Sequence, residues 1–215
     1  MTKGWGPLGW ATLHSISALY PDNPTDLEQD MFARWLDAFT KSILCPSCMK
    51  HFSDTVSAYT IINPRWKSTR RGVLEFVLRA HNSVNLRTGK KIYSFAESMA
   101  ELETFLPAEM ASTRRQQYLV YIRNDWMKNM TIEGISTAGK LKELNMVEES
   151  YWSKRQFQWS DLSVFADVNV SPLVNATSTL GSGQGGVFIP KIAMPAKGFT
   201  LRNIGKIGPL SSLRS

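Results

Sequence analysis

Both cysteines of this 215-residue chain lie in one short motif, Cys45-Pro46-Ser47-Cys48. A pair separated by two residues cannot tie distant segments together. The disulfide framework of a small secreted scaffold is therefore excluded, and the fold has to be held by a packed core. The composition supplies one, with 43% hydrophobic and 20% charged residues. Pro46 suits the first position of a helix, where its missing N–H is no loss. It predicts a helix that starts at the motif and runs through Met49, Lys50, His51 and Phe52 toward Tyr59. The positive end of that helix favours a thiolate. Three uses of the motif stay open on the residues alone. The thiols can cycle between dithiol and disulfide, they can join His51 and a distant His81 in a zinc site, or they can be inert.

Apolar spacing predicts three more helices in the first half. Trp10, Leu13, His14, Ser17 and Ala18 share a face over residues 7–20, and Phe32, Trp35, Leu36 and Phe39 do so over 26–42. Val73, Phe76, Val77, Ala80 and Val84 align over 68–86. Thr25-Asp26 is a good start signal for the second, and Gly89 ends the fourth. Four amphipathic helices with short connections predict an all-α helical bundle. Trp5, Trp35 and Phe39 read as core residues at helical spacing. No apolar run approaches the roughly 20 residues that span a bilayer, and no signal-peptide core follows Met1, so the expected setting is cytoplasmic.

Two further stretches flank the cysteine motif. One reads Trp5-Gly6-Pro7-Leu8-Gly9-Trp10-Ala11-Thr12-Leu13-His14, followed by Leu19-Tyr20-Pro21; the other runs from His81-Asn82-Ser83-Val84-Asn85 to Thr88-Gly89-Lys90. In this order and spacing the three motifs resemble the Erv/ALR family of FAD-linked sulfhydryl oxidases, over roughly residues 5–95. The resemblance implies a four-helix bundle of that type over residues 1–106. It implies an FAD site made of Gly6, Trp10, His14, Tyr20, Cys48, His51, His81, Asn82, Val84, Asn85 and Lys90, with no metal. It also implies a thiol oxidase, in which Cys45 exchanges with a reduced dithiol protein and Cys48 faces the flavin. Oxygen then leaves as hydrogen peroxide. A homodimer is implied as well. Many members carry a second, mobile cysteine pair, and often a cysteine soon after the Gly-Lys motif. Residues 90–96 of this chain hold none, so the substrate must reach Cys45 directly.

Beyond about Phe105 the resemblance ends. Residues 107–170 form a helical appendage that interleaves Arg114, Arg115, Tyr118, Arg123, Trp152, Arg155 and Trp159. Such interleaving can bind single-stranded nucleic acid, but Glu109, Asp125, Glu143, Glu148 and Glu149 dilute the basic field, and packing on a protein surface is the expected use. Residues 171–215 read as an extended, Gly/Ser-rich basic arm. They hold seven of the fourteen glycines, five basic residues and no acidic one. The arm supports an alternative of another class, a structural or assembly component of a virion-like complex built on an oxidase-like bundle. Host cytoplasm or a virion would then be its setting, and the arm would carry the larger assembly.

Overall fold

The structure, a computed structural model, describes residues 5–128 and 132–173, and every regular element among them is helical. Seven α-helices follow in order: α1 (Trp5–Leu19), α2 (Asp26–Lys41), α3 (Pro46–Ile62), α4 (Arg70–Arg87), α5 (Phe95–Phe105), α6 (Ala111–Lys128) and α7 (Ile132–Ser150). Short 3₁₀ turns precede α4 and α6 and follow α7.

Local chemistry sets the helix starts. Thr25 caps α2 in a reciprocal box with Glu28, and Ser94 does the same for α5 with Glu97. Thr69 accepts from Gly72 N–H to cap α4. Gly72 is required for a second reason, since a Cβ there would lie 2.1 Å from the Trp66 carbonyl oxygen. Because that neighbour is backbone, Gly72→Ala should lower unfolding stability by roughly 3 kcal/mol, read as a shift of the urea midpoint at constant slope. At the other end of α4, Gly89 takes a positive φ of 65°.

α1 is the central element. Every residue from Ala11 to Leu19 is buried, as befits a helix enclosed on all sides. It lies between α4 and α6, while α2 packs against α3 and α7. The approach of α6 is close at Gly9, where a Cβ would meet the Trp5 ring at 3.3 Å and the Tyr118 ring at 3.5 Å.

The helices beyond residue 107 thus pack on the first ones and share their core. Tyr118 meets Phe39 and its hydroxyl pairs with Ser42, Trp152 meets Trp35 edge-on, and the Trp159 indole donates to the Leu106 carbonyl. Arg115 on α6 is buried, forms a salt bridge with Glu148 on α7 and reaches Ser15 on α1. The aromatic residues Tyr118, Trp152, Phe157 and Trp159 are all in the core. They are spent on packing. The non-helical segment after Phe165 returns along α4. Residues 174–215, with nearly all of the basic arm, lie outside the described residues.

Candidate active site

α3 begins at the cysteine motif because Cys45 takes the N-cap position with extended backbone and Pro46 takes the first helical one. Cys45 and Cys48 are joined in a disulfide. The Cys45 sulfur accepts from the Cys48 N–H at 3.3 Å and from the Ser47 hydroxyl at 3.2 Å. The two sulfurs differ in surroundings. Cys48 packs against the core and lines a cavity, whereas Cys45 is not among the lining residues.

That cavity has a volume of about 790 Å³, within the usual range of cofactor sites. Helical periodicity explains its walls. Gly6, Trp10, Leu13 and His14 bring one face of α1, and His81, Val84, Asn85 and Thr88, at spacings of three, four and seven, bring one face of α4. His51 and Phe52 enter from α3, and Lys90 and Tyr93 from the connection between α4 and α5.

An aromatic and imidazole cluster forms in this wall. Trp10 stacks on His81 with ring centroids 4.2 Å apart and planes 10° apart. His81 Nδ1 lies 2.8 Å from His14 Nε2, so one ring donates to the other. A shared proton of this kind needs at least one neutral imidazole, and burial favours neutrality in both. Burial first, then the neighbouring His81, holds His14 well below its usual pKa. Burial first, then Lys90, brings His81 down to about 4. His51 is lowered more weakly, by burial and then by Arg87.

The sign of the resulting pH dependence follows from these depressed values. Between pH 6.5 and about 4 the unfolded chain binds a proton at His81 that the folded chain does not. Stability should therefore fall as pH drops through that window, by about 3 kcal/mol from His81 alone, and the depressed His14 and Glu97 extend the loss below it. Urea titrations of the flavin-free protein from pH 7.5 to 3.5 measure this. His81→Phe, which keeps a ring on Trp10 without a titrating group, should remove the His81 share of the slope and leave the share of His14, whose depression comes first from its own burial.

Of the residues singled out from sequence, the structure gathers Gly6, Trp10, His14, Cys48, His51, His81, Asn82, Val84, Asn85 and Lys90 around one cavity. Tyr20 is not brought there. It sits ten residues beyond Trp10, about 15 Å along the helix direction. Its ring packs on Phe32 and its hydroxyl donates to the Lys67 carbonyl, so it belongs to the core between α1, α2 and the turn before α4. Asn82 lines the cavity but spends its amide on backbone: Nδ2 donates to the Tyr93 and Val170 carbonyls, and Oδ1 accepts from Tyr93 N–H. Trp35 and Phe39 are core residues, as their spacing predicts, although Phe39 also touches the cavity.

Trp5, Arg87 and Tyr93 line the cavity without having been singled out for it. For Trp5 the available signal was Gly9, one turn on, whose lack of a side chain admits the indole. For Arg87 it was the three-residue step from Val84. Among the described residues no group of three or more His, Cys, Asp or Glu side chains is placed to hold a metal ion.

A helical bundle that sets one sulfur of a disulfide in the wall of a cofactor-sized, aromatic cavity is a dithiol–disulfide redox protein. The chain belongs to the Erv1 / Alr family, whose profile matches residues 8–104. It is 31% identical over 93 residues to an FAD-linked sulfhydryl oxidase of African swine fever virus, covering 43% of this chain and 75% of that protein. It is 26% identical over 109 residues to a probable FAD-linked sulfhydryl oxidase of Acanthamoeba polyphaga mimivirus, covering 51% and 76%. A mitochondrial FAD-linked sulfhydryl oxidase of Schizosaccharomyces pombe is 34% identical over 85 residues, covering 40% and 46%. No solved structure matches significantly.

Proposed function

We propose that this chain is an FAD-dependent thiol oxidase that forms disulfides in substrate dithiols while O2 is reduced to hydrogen peroxide. The observation that carries this reading is the position of Cys48, half of a disulfide and part of the wall that holds Trp10, His14 and His81. The residues present fit a flavin dinucleotide. Two buried ring nitrogens of cavity residues, Trp5 Nε1 and His14 Nδ1, have no protein partner. The Trp10–His81 stack supplies flat apolar surface, and Arg87 and Lys90 supply positive charge for a pyrophosphate.

In this reading a substrate thiolate attacks the Cys45 sulfur, the Cys45–Cys48 bond breaks, and Cys48 leaves as a thiolate in the cavity wall. The second substrate thiol then attacks the substrate sulfur of the mixed disulfide, and Cys45 departs. The Cys48 N–H, the Ser47 hydroxyl and the positive end of α3 stabilise that departing thiolate. Bound FAD would supply the two-electron acceptor and the route to O2, and with those electrons gone the Cys45 and Cys48 sulfurs rejoin in their disulfide. His14 and His81, kept neutral by burial, hold the proton between them and leave the cavity without a buried positive charge.

The partner in this reaction is a dithiol protein. A homodimer and a cytoplasmic setting, host cytoplasm or virion, complete the reading, the setting supported by the viral relatives. Among the described residues no helix is long and apolar enough to cross a membrane. The alternative of a purely structural component is not favoured, because the relatives are named as oxidases.

Purified protein supplied with FAD should bind one equivalent and consume oxygen with dithiothreitol, and sedimentation should report two copies. Stable refusal of FAD would remove the proposal. His81→Ala should lower flavin occupancy about ten-fold, since it removes the stack on Trp10 and the partner of His14, and His51→Ala should lower it less. Flavin released per protein after gel filtration measures both.

A further inference from the structure

The segment that follows Phe165 is fastened along α4 by four side chains in succession. Arg71 grips the Asp167 carboxylate with both terminal nitrogens, at 2.7 and 2.9 Å. Arg79 Nε donates to the Ser171 carbonyl at 3.1 Å, and Asn82 Nδ2 donates to that of Val170 at 2.8 Å. Ser83 Oγ accepts from Leu173 N–H at 2.6 Å. Val168 is buried, and Val170 and Leu173 pack against the core.

One of these four is a joint. Asn82, only 2% exposed, has two amide N–H groups and one carbonyl oxygen, and all are used. One N–H holds Val170. The other N–H and the oxygen hold the backbone of Tyr93 from both sides, at 2.8 and 3.1 Å. Tyr93 and Lys90 stand on the connection between α4 and α5, and both line the cavity.

We propose that residues 167–173 are a positioning strap for the cofactor cavity: they saturate Asn82 from outside and so hold the 88–94 connection, with Lys90 and Tyr93, in place. The physical reason is the cost of a buried, unpaired amide. Without Val170 the Asn82 side chain is free to turn in search of a second acceptor, and any turn breaks its paired bonds to Tyr93. The strap lies beyond the residues matched to the family, so this chain braces one wall of a family site with an element outside it. The proposal rests on the oxidase reading for the identity of the ligand.

The test uses the full chain carrying Arg71→Ala with Ser83→Ala, neither of which lines the cavity, and separately Val168→Asp, which opposes burial of the strap. In the flavin-free protein, amide exchange at Tyr93 should quicken about ten-fold while that of Tyr59 in α3 stays as it was. The FAD dissociation constant should rise about ten-fold, with reduction of the Cys45–Cys48 disulfide by dithiothreitol unchanged. Arg71→Lys with Ser83→Thr, which keeps the charge and the hydroxyl, should restore both readings. Unchanged Tyr93 exchange, unchanged FAD affinity, or a parallel rise at Tyr59 overturns the proposal. If the wild-type chain takes up no FAD, the oxidase reading fails on that result, and Tyr93 exchange alone decides the strap.

Discussion

Replacing Cys48 by serine should cut oxygen-coupled thiol oxidation by on the order of a thousand-fold, and replacing Cys45 should do the same by a different route. The chain has no other cysteine, so neither function can be taken over. In Cys48→Ser the remaining Cys45 keeps the helix N-terminus and the Ser47 hydroxyl beside it and can still pair with a substrate thiol in the presence of an added oxidant. That mixed disulfide should accumulate with a monothiol such as glutathione, whereas a dithiol substrate should still release Cys45 through its second thiol. In Cys45→Ser the surviving sulfur belongs to the cavity wall, so capture of a bulky dithiol protein should fail while a small thiol can still reach it. Non-reducing mass spectrometry of the two variants separates these outcomes. Turnover by the double variant at the wild-type rate would remove the mechanism.

Glu148→Ala should destabilise the fold by about 3–5 kcal/mol. Arg115 and Glu148 have side-chain exposures of 3% and 6%, and Arg115 Nε contacts both carboxylate oxygens, at 2.8 and 3.0 Å. Removing the carboxylate leaves a guanidinium between α1, α6 and α7 with the Ser15 hydroxyl, 3.4 Å away, as its recorded partner. The comparison with a double replacement decides between charge and packing. Arg115→Met with Glu148→Leu removes both charges at similar volume and should return most of the loss, since two desolvated ions gain little over a well-packed apolar pair. Urea midpoints of the three proteins measure this, and a cost below about 1 kcal/mol for Glu148→Ala would show the pair to be hydrated.

The sequence was most readable where the cause is local. Thr25 and Pro46 mark the starts of α2 and α3 to the residue, and the apolar repeats place α1 and α4 within two residues of their observed ends. The cavity residues of α1 and α4 were legible because three motifs matched a family pattern, and helical spacing alone then put them on shared faces. Tyr20 shows the limit of that transfer: it stands beside a motif yet faces Phe32 and Lys67. What stayed hidden was pairing across long separations. Nothing in the spacing of α6 says that Tyr118 will meet Gly9 and Ser42, or that Arg115 will find Glu148. The saturation of Asn82 by Tyr93 and Val170 was equally out of reach, because an asparagine in a binding motif looks the same whether its amide faces a ligand or a backbone.

The burial of α1 between α4 and α6 also fixes an order of events during synthesis. α1 is the first of the seven helices to leave the ribosome, and α6 begins at Ala111, about a hundred residues behind it. At roughly 5–20 residues per second that is a delay on the order of 5–20 seconds, during which α4 can cover one side of α1 but the side that α6 covers has no cis partner. The cavity wall is completed later still, once Val170 has emerged to meet Asn82. Nascent chains stalled before residue 150 should therefore be the aggregation-prone species and the clients of holding chaperones, and flavin uptake should be a post-translational step.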